Sequence, residues 1–270
     1  MEMRGKGVVV TGAASGIGHA LVEALLAKGA RVAAVDLQDQ GLERLAAEVN
    51  AGERLSTHRL DITDRSAVRA LPAEVIARHG AVDVVINNAG IIQPFECVHD
   101  LSDEVIEHTM DVNFYGTLWM VRAFLPHLLE RPEAYLVNVA SMGAFLPVPG
   151  QAIYGASKAA VKLMTEGLYA ELMETSVKVS VVMPGAVATN IAENSGVVMG
   201  DGEEGGDAGE GYRALEADKA AEIILEGMED ERLHILVGSD ARLMQLANRI
   251  APKGSIRLIQ RKMRDLLGDS

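Results

Sequence analysis

The chain has one cysteine in 270 residues, Cys97. An internal disulfide is therefore excluded, and the fold is expected to stand on packing alone in a reducing, cytoplasmic compartment. A thiol nucleophile needs a neighbouring base; none is evident beside Cys97, which reads as a bystander. Positive charge is also short: 25 Lys and Arg against 38 Asp and Glu leave a net charge of −13. Such a balance repels phosphate backbones and argues against a nucleic-acid partner. Long hydrophobic runs are missing. Val8-Val9-Val10 is too short for a secretory signal, and no stretch reaches the length of a membrane helix. The seven histidines, His19, His58, His79, His99, His108, His127 and His234, lack the close spacing of a zinc site, so no metal is expected. Solenoid repeats are absent too.

What remains is an ordinary globular composition, 49% hydrophobic and 23% charged, in a chain long enough to bury a large core. Short apolar, β-branched runs recur at Val8–Val10, Arg31–Val35, Leu55–Leu60, Val82–Ile86, Ala134–Val139, Val177–Val182 and Leu233–Val237. Runs of this kind fit strands covered on both faces. Amphipathic stretches separate them, with Leu42, Leu45, Ala46 and Val49 at helical spacing. This rhythm predicts an α/β fold: one doubly wound parallel sheet of about seven strands, in a single domain spanning 1–270. Two regions break the rhythm. Residues 194–211 are glycine-rich and acidic, without calcium-loop spacing, and read as a flexible lid. Residues 241–270 read as a helical tail.

Thr11-Gly12-Ala13-Ala14-Ser15-Gly16-Ile17-Gly18 follows the first strand and opens a helix. Glycines at 12, 16 and 18 permit a sharp turn and close approach to a pyrophosphate, which a helix N-terminus favours. A tight turn without ligand would use the same residues. Asp36, at the end of the second strand, sharpens the reading, since an acid there accepts from the adenosine ribose hydroxyls and repels a 2′-phosphate. Ser15 and Leu37 stand where a basic residue would rescue phosphate binding, so NAD(H) is expected over NADP(H). Asp61 and Ile62 either border the adenine or, in the case of Asp61 or its neighbour Asp64, cap the next helix. Asn87-Asn88-Ala89-Gly90 ends the fourth strand, on the edge where such sheets bind ligands.

Tyr154 and Lys158, four residues apart, fall on one helical face. A phenol is too weak a base at neutral pH, and lowering its pKa by ~3 units takes ~4 kcal/mol of differential interaction. A close ammonium and a cationic nicotinamide both act in that direction. A surface tyrosine and lysine would be spaced no differently.

Taken with Asn113, Ser141 and Pro184-Gly185 followed by Thr189, these motifs resemble those of the short-chain dehydrogenase/reductase family, in order, over roughly residues 3–240. The resemblance implies a Rossmann sheet and a catalytic team of Asn113, Ser141, Tyr154 and Lys158. Tyr154 would exchange a proton with the substrate oxygen, which Ser141 would hold. Lys158 would lower the tyrosine pKa and bind the nicotinamide ribose, and Asn113 would fix a water linking Lys158 to solvent. The expected cofactor set is Gly12, Ser15, Gly16, Ile17, Gly18, Asp36, Asp61, Ile62, Asn88, Ala89, Gly90, Tyr154, Lys158, Pro184, Gly185, Val187 and Thr189. It also implies a homotetramer or homodimer, packed through the helices bearing Asn113 and Tyr154.

The segment Met142–Pro149, with Ile191, Val197, Val198 and Met199, is largely apolar and favours a hydrophobic secondary alcohol or ketone, unless it only packs the loop. An acyl-carrier-protein ketoreductase is the second reading. It calls for a basic docking patch, and Glu130-Arg131-Pro132-Glu133 is charge-balanced. A non-enzymatic NAD(H)-binding sensor or scaffold would be expected to have lost part of the catalytic team, which is complete here. In the tail, Ile256, Ile259, Met263, Leu266 and Leu267 share a face, with Arg257, Arg261, Lys262 and Arg264 nearby. A packed helix is the expectation there; an anionic membrane surface is the other occupant such a face suits.

Overall fold

The computed structural model describes residues 1–197 and 214–263. The first half runs β1 (Gly7–Thr11), α1 (Gly16–Ala27), β2 (Arg31–Asp36), α2 (Asp39–Val49), β3 (Leu55–Arg59), α3 (Arg65–His79) and β4 (Val84–Asn87). Next come α4 (Asp103–Met110), α5 (Thr117–Leu129), β5 (Ala134–Val139), α6 (Ala152–Leu172) and β6 (Val177–Pro184). The chain then forms α7 (Ile191–Asn194), α8 (Ala217–Glu229), β7 (His234–Val237), α9 (Ser239–Ile250) and α10 (Pro252–Lys262). All seven expected strands are present. They form one parallel sheet in the order β3-β2-β1-β4-β5-β6-β7, with helices on both faces, a Rossmann arrangement.

Strand periodicity divides the core. Val8, Val10, Val32, Ala34, Val84 and Ile86 pack on one face against Leu21 and Leu25 of α1, Leu42 and Leu45 of α2, and Ile224 and Met228 of α8. Their alternates Val9, Ala33, Val35 and Val85 pack on the other against Val68, Leu71 and Val75 of α3 and Met120, Val121 and Phe124 of α5. Side chains two apart share a face, and parallel strands with helices on both sides are buried throughout. β3 departs from the expectation. Only Leu55 is buried; from Ser56 to Arg59 the residues alternate between half-buried and exposed. It is one of the two edge strands, paired only with β2, so continuous apolar character is not required of it.

The chain order reverses between β1 and β4, which puts their C-terminal ends side by side. This is the position at which an open α/β sheet leaves a crevice. The helix expected to carry Asn113 is not uniform. α4, whose first turn Ser102 caps, passes through a π-turn at Asp111–Gly116 before α5 begins. Insertions of this kind re-aim a side chain without ending the helix. α9 stops at Ala251 because Pro252 cannot continue it and drives the preceding residue out of helical geometry, here to ψ 69°. Of the expected lid, 194–197 close α7 and its following turn, and the remainder lies outside the described residues.

Candidate active site

A cleft of about 650 Å³ opens at the C-terminal ends of β1, β4, β5 and β6. It is lined at one end by Gly12, Ser15, Gly16, Asp36 and Asp61, and at the other by Ser141, Tyr154, Lys158, Pro184 and Gly185. Gly12 and Gly16 turn with positive φ, at 66° and 52°. Gly18 does not line the cleft. Its role is close approach, since a Cβ there would lie 1.9 Å from Gly12 O. Ser15 stands at the N-cap of α1 without capping it, and its Oγ accepts from Asn194 Nδ2 of α7 (2.8 Å). The first-turn N–H groups thus lack a side-chain cap where they border the cleft, the chemistry that suits a pyrophosphate.

Asp36 is fixed from both sides. Oδ2 accepts from Ala14 N and Oδ1 from Gln38 N, each at 2.9 Å. Asp61 and Ile62 also line the cleft, while the helix-capping role falls to Asp64, which accepts from Ser66 N and Ala67 N of α3. Asn88 works on the turn: its Nδ2 donates to Thr11 O and Gly12 O, and its own N donates to Thr11 Oγ1. These bonds staple the end of β4 to the end of β1. The buried Thr11 hydroxyl, which also accepts from Ala89 N, braces this turn from beneath; the sequence motif begins at Thr11 but gave it no role of its own.

At the other end, Ser141 lies two residues past β5 and caps the short turn Met142–Ala144, its Oγ accepting from Gly143 N at 3.0 Å. Lys158 is buried, and its Nζ donates to Val139 O (3.1 Å). Burial draws its pKa from 10.5 to about 8. Burial also pushes the Tyr154 phenol above its ordinary value, with the Ser141 hydroxyl pulling the other way. This opposes the lowering expected from the tyrosine–lysine spacing. Desolvation penalises both charged forms at once.

Asn113 is fully buried and does not line the cleft. Its Oδ1 accepts from Ile91 N, and its Nδ2 donates to Ile91 O and Ser157 Oγ. The side chain thereby clamps the cleft wall just after Gly90. Space there is tight: a Cβ on Gly90 would lie 2.8 Å from Lys158 Nζ and 2.9 Å from Asn113 Oδ1.

Three further residues were not legible locally. Gln93 is buried, and its Oε1 accepts from Tyr154 N at 2.9 Å, fixing the start of α6. Gln151 sits at the N-cap of α6 and lines the cleft, donating through Nε2 to Gln93 O at 2.7 Å. Its buried Oε1 has no hydrogen-bond partner among the described residues. An amide at the head of the Tyr154 helix was the only cue in the sequence. Asp240, buried on α9, accepts from Ala186 N at 2.7 Å and presses so closely on the preceding loop that a Cβ on Gly185 would lie 2.0 Å from its Oδ2.

The expected apolar wall is only partly there. Met142, Val148 and Ile191 line the cleft, joined by Ile91, Ile92, Phe95 and Met263. Leu146 is fully buried and Phe145 packs beside Val161 and Met183, so both serve the core. Val198 and Met199 lie outside the described residues. Cys97, His99 and Asp100 bring ligand atoms within 4.8 Å of one another on a loop, although their spacing in the sequence did not suggest it.

The family profile for short chain dehydrogenase matches residues 6–197. The 1-deoxy-11-beta-hydroxypentalenate dehydrogenase of Streptomyces exfoliatus is 35% identical over 246 residues, 90% of this chain and 86% of that protein. Among solved structures, a short-chain dehydrogenase/reductase from Burkholderia phymatum in complex with NAD has a TM-score of 0.81 at 27% identity, over 93% of this chain and 96% of that one. A short-chain dehydrogenase from Burkholderia cenocepacia in complex with NADP has a TM-score of 0.79 at 29% identity, over 96% and 99%. The profile match, the full-length relatives and a cleft built at the sheet's crossover agree, and the chain belongs to the short-chain dehydrogenase/reductase family of oxidoreductases.

Proposed function

We propose that the chain is an NAD(H)-dependent oxidoreductase acting between a hydrophobic secondary alcohol and its ketone. The observation that carries this reading is the pairing, in one cleft, of Asp36 at one end with Ser141, Tyr154 and Lys158 at the other. Asp36 presents its carboxylate to the adenosine end, and among the described lining residues Lys158 is the only Lys or Arg. A 2′-phosphate would meet a negative charge there with no cation to offset it. A bound nicotinamide supplies or accepts the hydride at the reacting carbon.

The residues of this chain handle the oxygen and its proton. Ser141 holds the substrate oxygen, and Tyr154 gives it a proton during reduction or takes one during oxidation. A buried, protonated phenol is ready to donate. Acting as a base requires positive charge close by, which the Lys158 ammonium supplies below about pH 8. Asn113 and Gln93 position the cleft wall and the head of α6. The free acceptor Gln151 Oε1 is suited to a hydroxyl or amide donor on an otherwise apolar substrate. The exposed apolar side chains Tyr115, Leu163, Tyr169 and Met173, on α6 and beside α5, support a homo-oligomer packed through these helices.

Fluorescence titration with NADH and NADPH, followed by a panel of apolar secondary alcohols and ketones, tests the proposal. NADH is expected to bind more tightly and to give the higher kcat/KM. Tyr154→Phe is expected to lower kcat by about 10²–10⁴-fold with NADH affinity largely retained. Equal or better turnover with NADPH overturns the cofactor assignment. A β-ketoacyl thioester outpacing every free ketone would move the substrate to the acyl-carrier class.

A further inference from the structure

α9 and α10 form a hairpin whose outer surface is built unlike the rest of the molecule. Leu243, Leu246 and Ile250 lie at i, i+3 and i+7 on α9, one stripe along the helix. All three are exposed, Ile250 by 75%. With Gly254 and Leu258 of α10 they line an open, almost wholly apolar groove of about 340 Å³. Ser255 Oγ donates to Asn248 Oδ1 at 2.9 Å, and Asn248 Nδ2 donates to Phe145 O at 2.8 Å, so the hairpin is fixed to the loop that follows Ser141. Its far end, Met263, lines the cleft.

Charge singles out the same surface. The molecule carries −13, yet residues 239–263 hold six basic side chains and one acid, Asp240, which is buried against Ala186 N. The basic residues follow the rims of the groove. Arg242 and Arg249 precede Leu243 and Ile250 by one position on α9. Lys253, Arg257 and Arg261 form an i, i+4, i+8 row beside Gly254 and Leu258 on α10. These five are exposed, and none of them pairs with a carboxylate among the described residues.

We propose that the α9–α10 hairpin is a docking surface for an anionic lipid bilayer, setting the mouth of the cleft against the membrane. An apolar stripe flanked by Lys and Arg places its hydrocarbon at the acyl boundary and its cations among acidic headgroups. The acidic remainder of the molecule is repelled by the same surface and fixes the orientation. The groove is a binding surface lying over the lipid, since no described helix is long and apolar enough to cross a membrane.

Co-sedimentation of the full chain with vesicles of mixed phosphatidylglycerol and phosphatidylcholine tests this, with phosphatidylcholine vesicles as the control. Binding to the anionic vesicles alone, weakened by added salt, is expected. The double charge reversal Lys253→Glu with Arg257→Glu should weaken it more than about tenfold. Ile250→Asp should also release the protein; both variants change exposed positions, and thermal melting checks that they fold. No sedimentation with anionic vesicles, or binding by both variants as strong as that of the wild type, overturns the proposal. So does a dimer that Ile250→Asp disperses while vesicles bind nothing, which would make the groove a contact between two copies. The assay reads binding without turnover, so its failure is separable from a failure of the oxidoreductase reading.

Discussion

Lys158 is almost fully buried, with a backbone carbonyl of β5 as its hydrogen-bond acceptor, and burial alone draws its pKa from 10.5 to about 8. The unfolded chain therefore holds this proton more tightly than the native one, and the difference corresponds to about 3 kcal/mol. Because the folded pKa lies below the unfolded value, the cost is full below pH 8 and is relieved as pH rises towards 10.5. Urea unfolding of the wild type should accordingly show stability climbing from pH 8 to 10 relative to Lys158→Met. At pH 7 the variant should be the more stable by up to about 3 kcal/mol, although inactive. Parallel pH profiles for the two proteins would show that the ammonium is not desolvated as described. The four-residue spacing from Tyr154 was legible in the sequence; the degree of burial that governs both side chains was not, because it depends on β5 and the loop after β4.

At the level of elements, the β3 edge carries a proton-sensitive contact with α3. Ser56 Oγ lies 2.8 Å from both His58 Nε2 and His79 Nε2. His79 is buried near Arg31 and Arg78, and burial pushes its pKa down. Burial also lowers that of His58, although Glu74 acts in the other direction. With folded values below the ordinary 6.5, both rings favour the fold above that pH, and this contribution is lost as pH falls further. His79→Leu should flatten the decline in stability between pH 7 and 5 measured by chemical denaturation. An unchanged slope would assign the acid sensitivity to carboxylates elsewhere. The strand at Leu55–Leu60 was recognisable from its flanks, but its edge position was not, since strand order depends on crossovers that local composition does not encode.

For the whole molecule, an assembly through α5 and α6 and docking through α9 and α10 use separate surfaces. Leu163, 71% exposed on α6, tests the first. Leu163→Glu should shift the protein to smaller assemblies in light scattering coupled to size exclusion, leaving vesicle binding unaffected. A wild type that is already monomeric would remove the oligomer from the proposal. The net charge of −13 described the molecule as a whole; the basic residues of the tail were legible in the sequence against it, but their pairing with the apolar stripe of α9 was not. Only placing Leu243 and Ile250 beside Gly254 and Leu258 turned two modest amphipathic helices into one surface.

The alternation of seven strands with helices, the glycine turn after β1, the acid closing β2, and the placing of Tyr154 and Lys158 on one helical turn are all written in the chain. Each is a short-range signal, carried by side-chain period or by turn chemistry within a few residues. Tertiary structure decided which groups those signals meet. Asn113 reaches Ile91, Gln93 reaches the N–H of Tyr154, and Asp240 braces the loop at Gly185, across separations that no local pattern spans. It also sent Phe145 and Leu146 into the core while leaving Met142 and Val148 in the cleft. The cause is the same throughout: burial and polar partnership belong to the packed sheet and its crossovers, and they exist only once distant segments have come together.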